Sequence, residues 1–282
     1  MLLALPEIIR DQDAVRTYAA LHEERNNQLP SYFAALNKIQ TYNIPFEPAC
    51  EHPLVLFDID EPLTCRLLDS LRRCPELDNT DTISAVPSEN CPAFAAGLRE
   101  GRALLHTYEA DALEALDRLV ASIIVVEADG YFGGSFWHSL GTIWMSPKAY
   151  WLRSDYAENL LHETVHQSMF LHDMVHSLFA ASPKSLAKPN AEVHSSIRGT
   201  KRPFDHAFHA ATVSVTLTSF YDNMGDYDRA TQFARGAIPT IIELQEKSEY
   251  LTEAGGRIVH DMVETLQRTR VWSSISHDER LR

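Results

Sequence analysis

The stretch Ser154-Asp155-Tyr156-Ala157-Glu158-Asn159-Leu160-Leu161-His162-Glu163-Thr164-Val165-His166-Gln167-Ser168-Met169-Phe170 decides how the chain is read. Its apolar residues recur at helical spacing, which predicts one long helix from about residue 154 to residue 179. Two histidines four apart share a helix face one turn apart, so His162 and His166 can reach the same metal ion. Glu163 follows the first of them and points about 100° around the axis, where it can orient a metal-bound water or another ligand. Leu160, Leu161, Val165 and Phe170 make the flanks apolar. Buried imidazoles need partners, and a metal is the simplest.

Outward from this helix, the preceding segment changes texture. Residues 123–126 are β-branched, Asp129-Gly130 and Gly133-Gly134 mark turns, and Gly141-Thr142-Ile143-Trp144-Met145 predicts a strand stopped by Pro147. Tyr131, Phe132, Phe136, Trp137, Trp144, Tyr150 and Trp151 can wall a substrate pocket but read first as core. His138 reads as an exposed loop histidine. Residues 184–201 are loop-like, and helices are predicted over 204–221, 227–247 and 252–269. N-terminally, residues 11–40 and 103–123 read as helix. Residues 41–92 hold seven prolines (45, 48, 53, 62, 75, 87 and 92) and read as irregular, with an extended piece at 54–57 and a solvated acidic tract, Asp58-Ile59-Asp60-Glu61.

The expected fold is mainly α with a small antiparallel β element, and the metal site lies between the central helix and a second core helix. We expect a single domain over 1–282. It comprises an N-terminal helical part (1–122), a metal-site core (123–225) and C-terminal helices (226–282).

Composition narrows the function. With 45% hydrophobic and 23% charged residues the chain is of ordinary globular type. Lys+Arg 25 against Asp+Glu 39 gives a net charge of −14 without a basic cluster, which argues against nucleic acid as a partner. No apolar run approaches the roughly 18–20 residues that cross a bilayer. Residues 1–9 lack the leading positive charge of a signal peptide, so a cytoplasmic protein with no membrane partner is expected. Cys50, Cys65, Cys74 and Cys91 show no C-x-x-C spacing and read as reduced thiols.

The third ligand decides the reaction class. Glu192 is the nearest candidate for a thermolysin-type glutamate, but it lies in loop-like sequence without the asparagine expected before it. His172 has the count of a metzincin third histidine, yet Met169 stands where a glycine must turn the chain. The helix should therefore continue and carry His172 away from His162 and His166. His172 and His176 form their own i, i+4 pair and read as structural or solvated. Further on, Pro203 and Asp205 mark a helix start, after which His206 and His209 lie near one face. Ala210, Ala211, Val213 and Val215 follow His209 and make it a core residue; His206, nearer the helix start, is its rival.

The order His162-Glu163-x-x-His166, then Ser195-Ser196-Ile197-Arg198, then Arg202-Pro203 with a histidine six residues after the proline, resembles the HExxH-motif peptide-modification family. Gly141-Thr142-Ile143-Trp144-Met145-Ser146 is also similar to the family's strand before the metal helix. The similarity covers about residues 140–225. Members are associated with peptide natural-product clusters, and some act as non-cupin Fe(II)/2-oxoglutarate-dependent hydroxylases of peptidyl β-carbons. The resemblance implies His162, His166 and His209 as iron ligands, with Arg198 and Arg202 as candidates to hold the 2-oxoglutarate carboxylate and Glu163 beside the iron. It implies a fold without a cupin barrel. It also implies an oxygenase that uses Fe(II), 2-oxoglutarate and O2 on a peptide, carrier-bound or free amino-acid substrate in natural-product biosynthesis. A planar guanidinium suits bidentate carboxylate binding, and a three-histidine site leaves positions open for a 2-oxo acid and dioxygen. The alternative is a zinc metallopeptidase with Zn(II) and Glu163 as general base. A third reading is a helical binding module with a structural metal.

Overall fold

Ser122–Glu127 forms the strand around which the first half of the chain is organised, and its residues Ile123 to Val126 are all buried. The structure, a computed structural model, describes residues 5–21, 30–40, 52–57, 65, 83–135 and 137–275. The acidic tract Asp58–Glu61, Cys50, Cys74, Phe136 and most of the proline-rich segment lie outside the described residues. Cys91 is a free thiol. The chain divides into two compact units, with the boundary between Leu171 and His172.

The first unit runs α1 (Leu5–Leu21), α2 (Tyr32–Ile39), β1 (Leu54–Leu56), β2 (Ser84–Ala85), α3 (Cys91–Tyr108), α4 (Ala110–Leu119), β3 (Ser122–Glu127), β4 (Gly133–Ser135) and β5 (Thr142–Met145). It then enters α5 (Arg153–His176), within which the boundary falls. The sheet order is β1-β3-β5-β4, and β2 pairs with the far end of β3. The sheet expected to be antiparallel is mixed. β1 and β5 run parallel to β3, whereas β2 and β4 are antiparallel to their neighbours. The reason is legible in β3: an uninterrupted apolar run suits a strand covered on both faces, the usual setting of parallel pairing. Ile83, Ile124, Val126, Ala128 and Trp144 form a buried cluster there, with Leu56 and Tyr131 against it.

The helix expected over 103–123 is two helices and the start of a strand. Glu109 breaks it with extended-side backbone (φ −146°, ψ 60°), and Val120 ends α4 before β3 begins. Leucine periodicity continues across one broken residue, which hides the break from a periodicity argument. Pro92 sits in the first turn of α3, where its missing N–H costs nothing. Helices α3 and α5 approach closely because Gly97 and Gly101 face Tyr156: a Cβ on Gly97 would fall 2.2 Å from the Tyr156 ring.

The second unit contains the end of α5, α6 (Pro183–Leu186), the hairpin β6 (Val193–His194) with β7 (Lys201–Arg202), α7 (Phe204–Met224), α8 (Tyr227–Glu246) and α9 (Glu253–Arg268). The segment read as loop from 184 to 201 thus holds a helical turn and the first strand of the hairpin. The central helix stops at His176, short of the expected 179. Ser177 turns to φ 54°, and Leu178 N–H donates to Asp173 Oδ1 at 2.6 Å. The three C-terminal helices fall close to their expected spans. Helix α7 is buried almost all round, as an apolar helix must be. Its polar side chains are satisfied internally: Thr212, Thr216 and Thr218 donate to carbonyls four residues back. Thr252 caps α9 by accepting from Gly255 N–H at 3.2 Å. Among the described residues no helix is long and apolar enough to cross a membrane.

Candidate metal centre

Helix α5 presents two different stripes. Glu163 and Gln167, four apart, are buried, while His162, His166 and Phe170, also four apart, are half-buried. Gln167 fastens the helix to the sheet: its Oε1 accepts from Gly141 N–H at 2.8 Å and its Nε2 donates to Thr142 O at 3.2 Å. This carboxamide fixes both the height and the rotation of α5 against β5.

His162 Nε2 and His166 Nε2 lie 3.1 Å apart, with ring centroids at 4.9 Å. Phe170 stacks on His166 at 6.0 Å and 19°. Two nitrogens each about 2.1 Å from one ion are roughly 3.0 Å apart at a right angle and about 3.4 Å apart at the tetrahedral angle. The pair therefore fits two adjacent coordination positions of a single first-row metal ion. The separation is also that of an N–H···N hydrogen bond, so the rings satisfy each other without reorganising.

Glu163 sits beside this pair, its Oε1 3.9 Å from His162 Nε2. Its Oε2 accepts a 2.7 Å hydrogen bond from Ser135 Oγ on β4. Burial pushes the Glu163 carboxyl up to about 8, and the Ser135 hydrogen bond opposes that rise. Gly133 lies beside the same carboxyl: a Cβ there would stand in ordinary contact, 3.6 Å from Glu163 Oε1, and would meet the Trp144 carbonyl oxygen at 2.8 Å. The unit thus offers two converging imidazoles and a carboxyl poised to carry a proton near neutrality.

The remaining candidates belong to the second unit. His209 is buried on α7, and burial, with His206 adding a smaller like-charge effect, lowers it to about 3. It is a neutral imidazole, the form a metal binds. His206 is half-buried on the same helix, and Arg202 Nη2 lies 3.5 Å from its Nδ1. Arg198 is exposed and Arg202 half-buried; among the described residues neither forms an ion pair with a carboxylate. Their loop is braced from both sides. Ser196 Oγ accepts from Ser214 Oγ at 2.8 Å, and His194 Nδ1 meets Glu243 Oε1 at 2.5 Å. Coordination of His209 with His162 and His166 stays an expectation of the sequence.

Other candidates take their places plainly. The helix runs on through Met169, as the missing glycine implied, and His172 is buried while His176 is exposed, their rings 4.4 Å apart. Glu192 is half-buried before β6, where its carbonyl accepts from Lys247 Nζ at 2.6 Å. His138 is half-buried, and burial lowers it. Of the aromatic residues before the helix, Trp144 is core, but Phe132, Trp137 and Tyr150 are 52%, 73% and 73% exposed. The core reading fails for these three. Ser135 and Gln167 were not singled out in the sequence. Gln167, one turn after Glu163 on a buried stripe, carried a signal; Ser135 in a Gly-Gly-Ser run did not.

Comparison with known proteins yields no matching family model and no matching curated relative.

Proposed function

We propose that the chain is an Fe(II)/2-oxoglutarate-dependent oxygenase that hydroxylates an aliphatic carbon, the β-carbon of an amino-acid residue, in a peptide, carrier-bound or free amino-acid substrate. The observation that carries this reading is the 3.1 Å convergence of His162 Nε2 and His166 Nε2 beside buried Glu163. In the proposal His162, His166 and His209 hold the metal, with His206 the rival third ligand. Ferrous iron with 2-oxoglutarate and O2 supplies the oxidation, one oxygen atom entering a C–H bond while the co-substrate leaves as succinate and carbon dioxide.

The protein's own groups do the rest. His209, kept neutral by burial, needs no proton removed before it binds. Ser135 holds the Glu163 carboxyl in one orientation beside the ligand pair, and Phe170 fixes the His166 ring plane. Arg198 or Arg202, free of carboxylate partners among the described residues, receives the distal carboxylate of 2-oxoglutarate bidentately.

Anaerobic addition of ferrous iron and then 2-oxoglutarate tests the reading. A weak visible charge-transfer band supports it, and Arg198→Ala and Arg202→Ala then identify the clamp by which one abolishes the band. No band, with stoichiometric zinc retained, overturns it. The zinc metallopeptidase reading has one observation in its favour, a carboxyl raised to about 8 next to a ligand histidine, as a general base requires. Glu163→Gln separates the two: a peptidase loses nearly all turnover, whereas an oxygenase retains a measurable part.

A further inference from the structure

Strand β4 is the end of its sheet, and among the described residues it pairs with β5 alone. The phase of that ladder follows from one bond. Ser146 N–H donates to Phe132 O at 2.7 Å, which makes 132 and 146 a hydrogen-bonded pair, and the register then sets Gly133 against Met145 and Gly134 against Trp144. Hydrogen-bonded and non-hydrogen-bonded pairs alternate in an antiparallel ladder, so Gly134 bonds to β5. Gly133 and Ser135 direct their N–H and C=O groups away from it, to the open edge.

Among the described residues, that edge lacks the devices that normally close one. It carries no charged residue and no proline. It is bracketed by Phe132 and Trp137, both exposed. It also borders the histidine pair, because Ser135 Oγ binds Glu163, and a Cβ on Gly133 would face the same carboxyl. A second copy of the chain is a poor occupant, since three residues against three offer little area against the roughly 1,200 Å2 that a specific interface buries. A neutral extended peptide fits: its main chain meets the paired donors and acceptors, and apolar side chains meet the two aromatic rings.

We propose that β4 receives the substrate as an added strand, through paired hydrogen bonds to the backbone of Gly133 and Ser135. The inference rests on the peptide-directed reading above and deepens it: the substrate is held extended, by its main chain. Side chains pointing away from the site are then free to vary.

The test uses the full-length, metal-free, 15N-labelled protein and two neutral probes. One is the capped pentapeptide Ac-Thr-Val-Thr-Val-Thr-amide; the other is the same peptide N-methylated at its three central residues. In the free protein the amides of Gly133 and Ser135 should exchange with solvent rapidly, and that of Gly134 slowly. Millimolar pentapeptide should shift the Gly133 and Ser135 amides and slow their exchange at least tenfold, and N-methylation should weaken binding at least tenfold. Equal binding of both peptides, shifts confined to the Phe132 and Trp137 rings, or no response to either probe overturns the proposal. Protection of the same amides that grows with protein concentration alone assigns the edge to a second copy and also overturns it. A charge-transfer band without an amide response removes this docking mode and leaves the oxygenase reading standing. An amide response without the band does the reverse.

Discussion

Ser135 Oγ donates a 2.7 Å hydrogen bond to Glu163 Oε2, tying the edge strand of the sheet to the helix that carries both histidines. Among the described residues this hydroxyl is the hydrogen-bond partner of a carboxyl that is 3% exposed. Burial and the hydrogen bond act in opposite directions on the same proton, and burial is the stronger. The arrangement holds Glu163 in place without forcing it to ionise. A group beside a histidine pair that exchanges a proton near neutral pH needs this balance.

The proton balance gives the first prediction. In the metal-free protein Glu163 holds its proton up to about 8, whereas in the unfolded chain it releases it near 4.5. Between those values the folded state binds more protons, so this contribution to stability is full below about 4.5 and is lost as pH rises toward 8. The upper bound is about 1.4 kcal/mol per unit. Glu163→Gln is a neutral isostere and should remove the loss. Urea unfolding from pH 6.5 to 8 should show a falling stability in the parent protein and a flat one in the variant. Parallel curves would mean that the carboxyl is already ionised.

His209 supplies the opposite slope. Its imidazole is lowered to about 3 from 6.5, by burial first and by His206 second. The unfolded chain therefore takes up a proton that the folded chain refuses, and stability falls as pH drops from about 6.5 toward 3. His209→Gln should flatten this acid limb in the metal-free protein, and His206→Gln, which removes the like-charge effect, should end the limb at a slightly higher pH and make the total loss smaller. Between 4.5 and 6.5 the Glu163 and His209 slopes oppose, so the parent curve should be shallow there. In Glu163→Gln the His209 rise should stand exposed over that same interval, which circular dichroism against urea can resolve.

Much of this was written in residue order. Periodicity placed α5, α7, α8 and α9 within a few residues, because each buries an unbroken apolar stripe. The i, i+4 spacing foretold that His162 and His166 share a face, and the missing glycine at 169 foretold that the helix continues past them. Three things were hidden. Strand direction depends on partners far along the chain, so the parallel pairing of β1, β3 and β5 left only an indirect mark in the apolar run of β3. The break at Glu109 falls between two helices with one leucine rhythm. Exposure of Phe132, Trp137 and Tyr150 goes against the burial their size predicts, and the first two flank β4 in the sequence.

Gln167 should prove structural before it proves functional. Its side chain satisfies Gly141 N–H and Thr142 O, both in a buried setting. Gln167→Leu keeps the volume but leaves a donor and an acceptor without partners, at a cost of about 2–4 kcal/mol. Urea unfolding should show that loss at unchanged m-value. Because the carboxamide also sets the rotation of α5, ferrous or zinc affinity should fall at least tenfold in the same variant. A stability change below about 0.5 kcal/mol would show that water replaces the carboxamide and that the helix is held elsewhere.

The close approach of α3 and α5 can be tested by coupling. A Cβ on Gly97 would lie 2.2 Å from Cζ of Tyr156, whereas one on Gly101 would meet Tyr156 Cβ at 2.7 Å and Ala157 N at 2.9 Å. Alanine favours a helix interior over glycine by about 1 kcal/mol, yet both substitutions should destabilise, by roughly 1–3 kcal/mol, since the added methyl has nowhere to go. The obstacles differ in kind. Tyr156→Leu removes the far ring atoms that block residue 97 but keeps the Cβ and backbone that block residue 101. A double-mutant cycle should therefore show a favourable coupling of at least 1 kcal/mol between Gly97→Ala and Tyr156→Leu, and none within about 0.5 kcal/mol between Gly101→Ala and Tyr156→Leu. Equal coupling in both cycles would mean that the helices move apart as rigid bodies, and that neither glycine sets their distance.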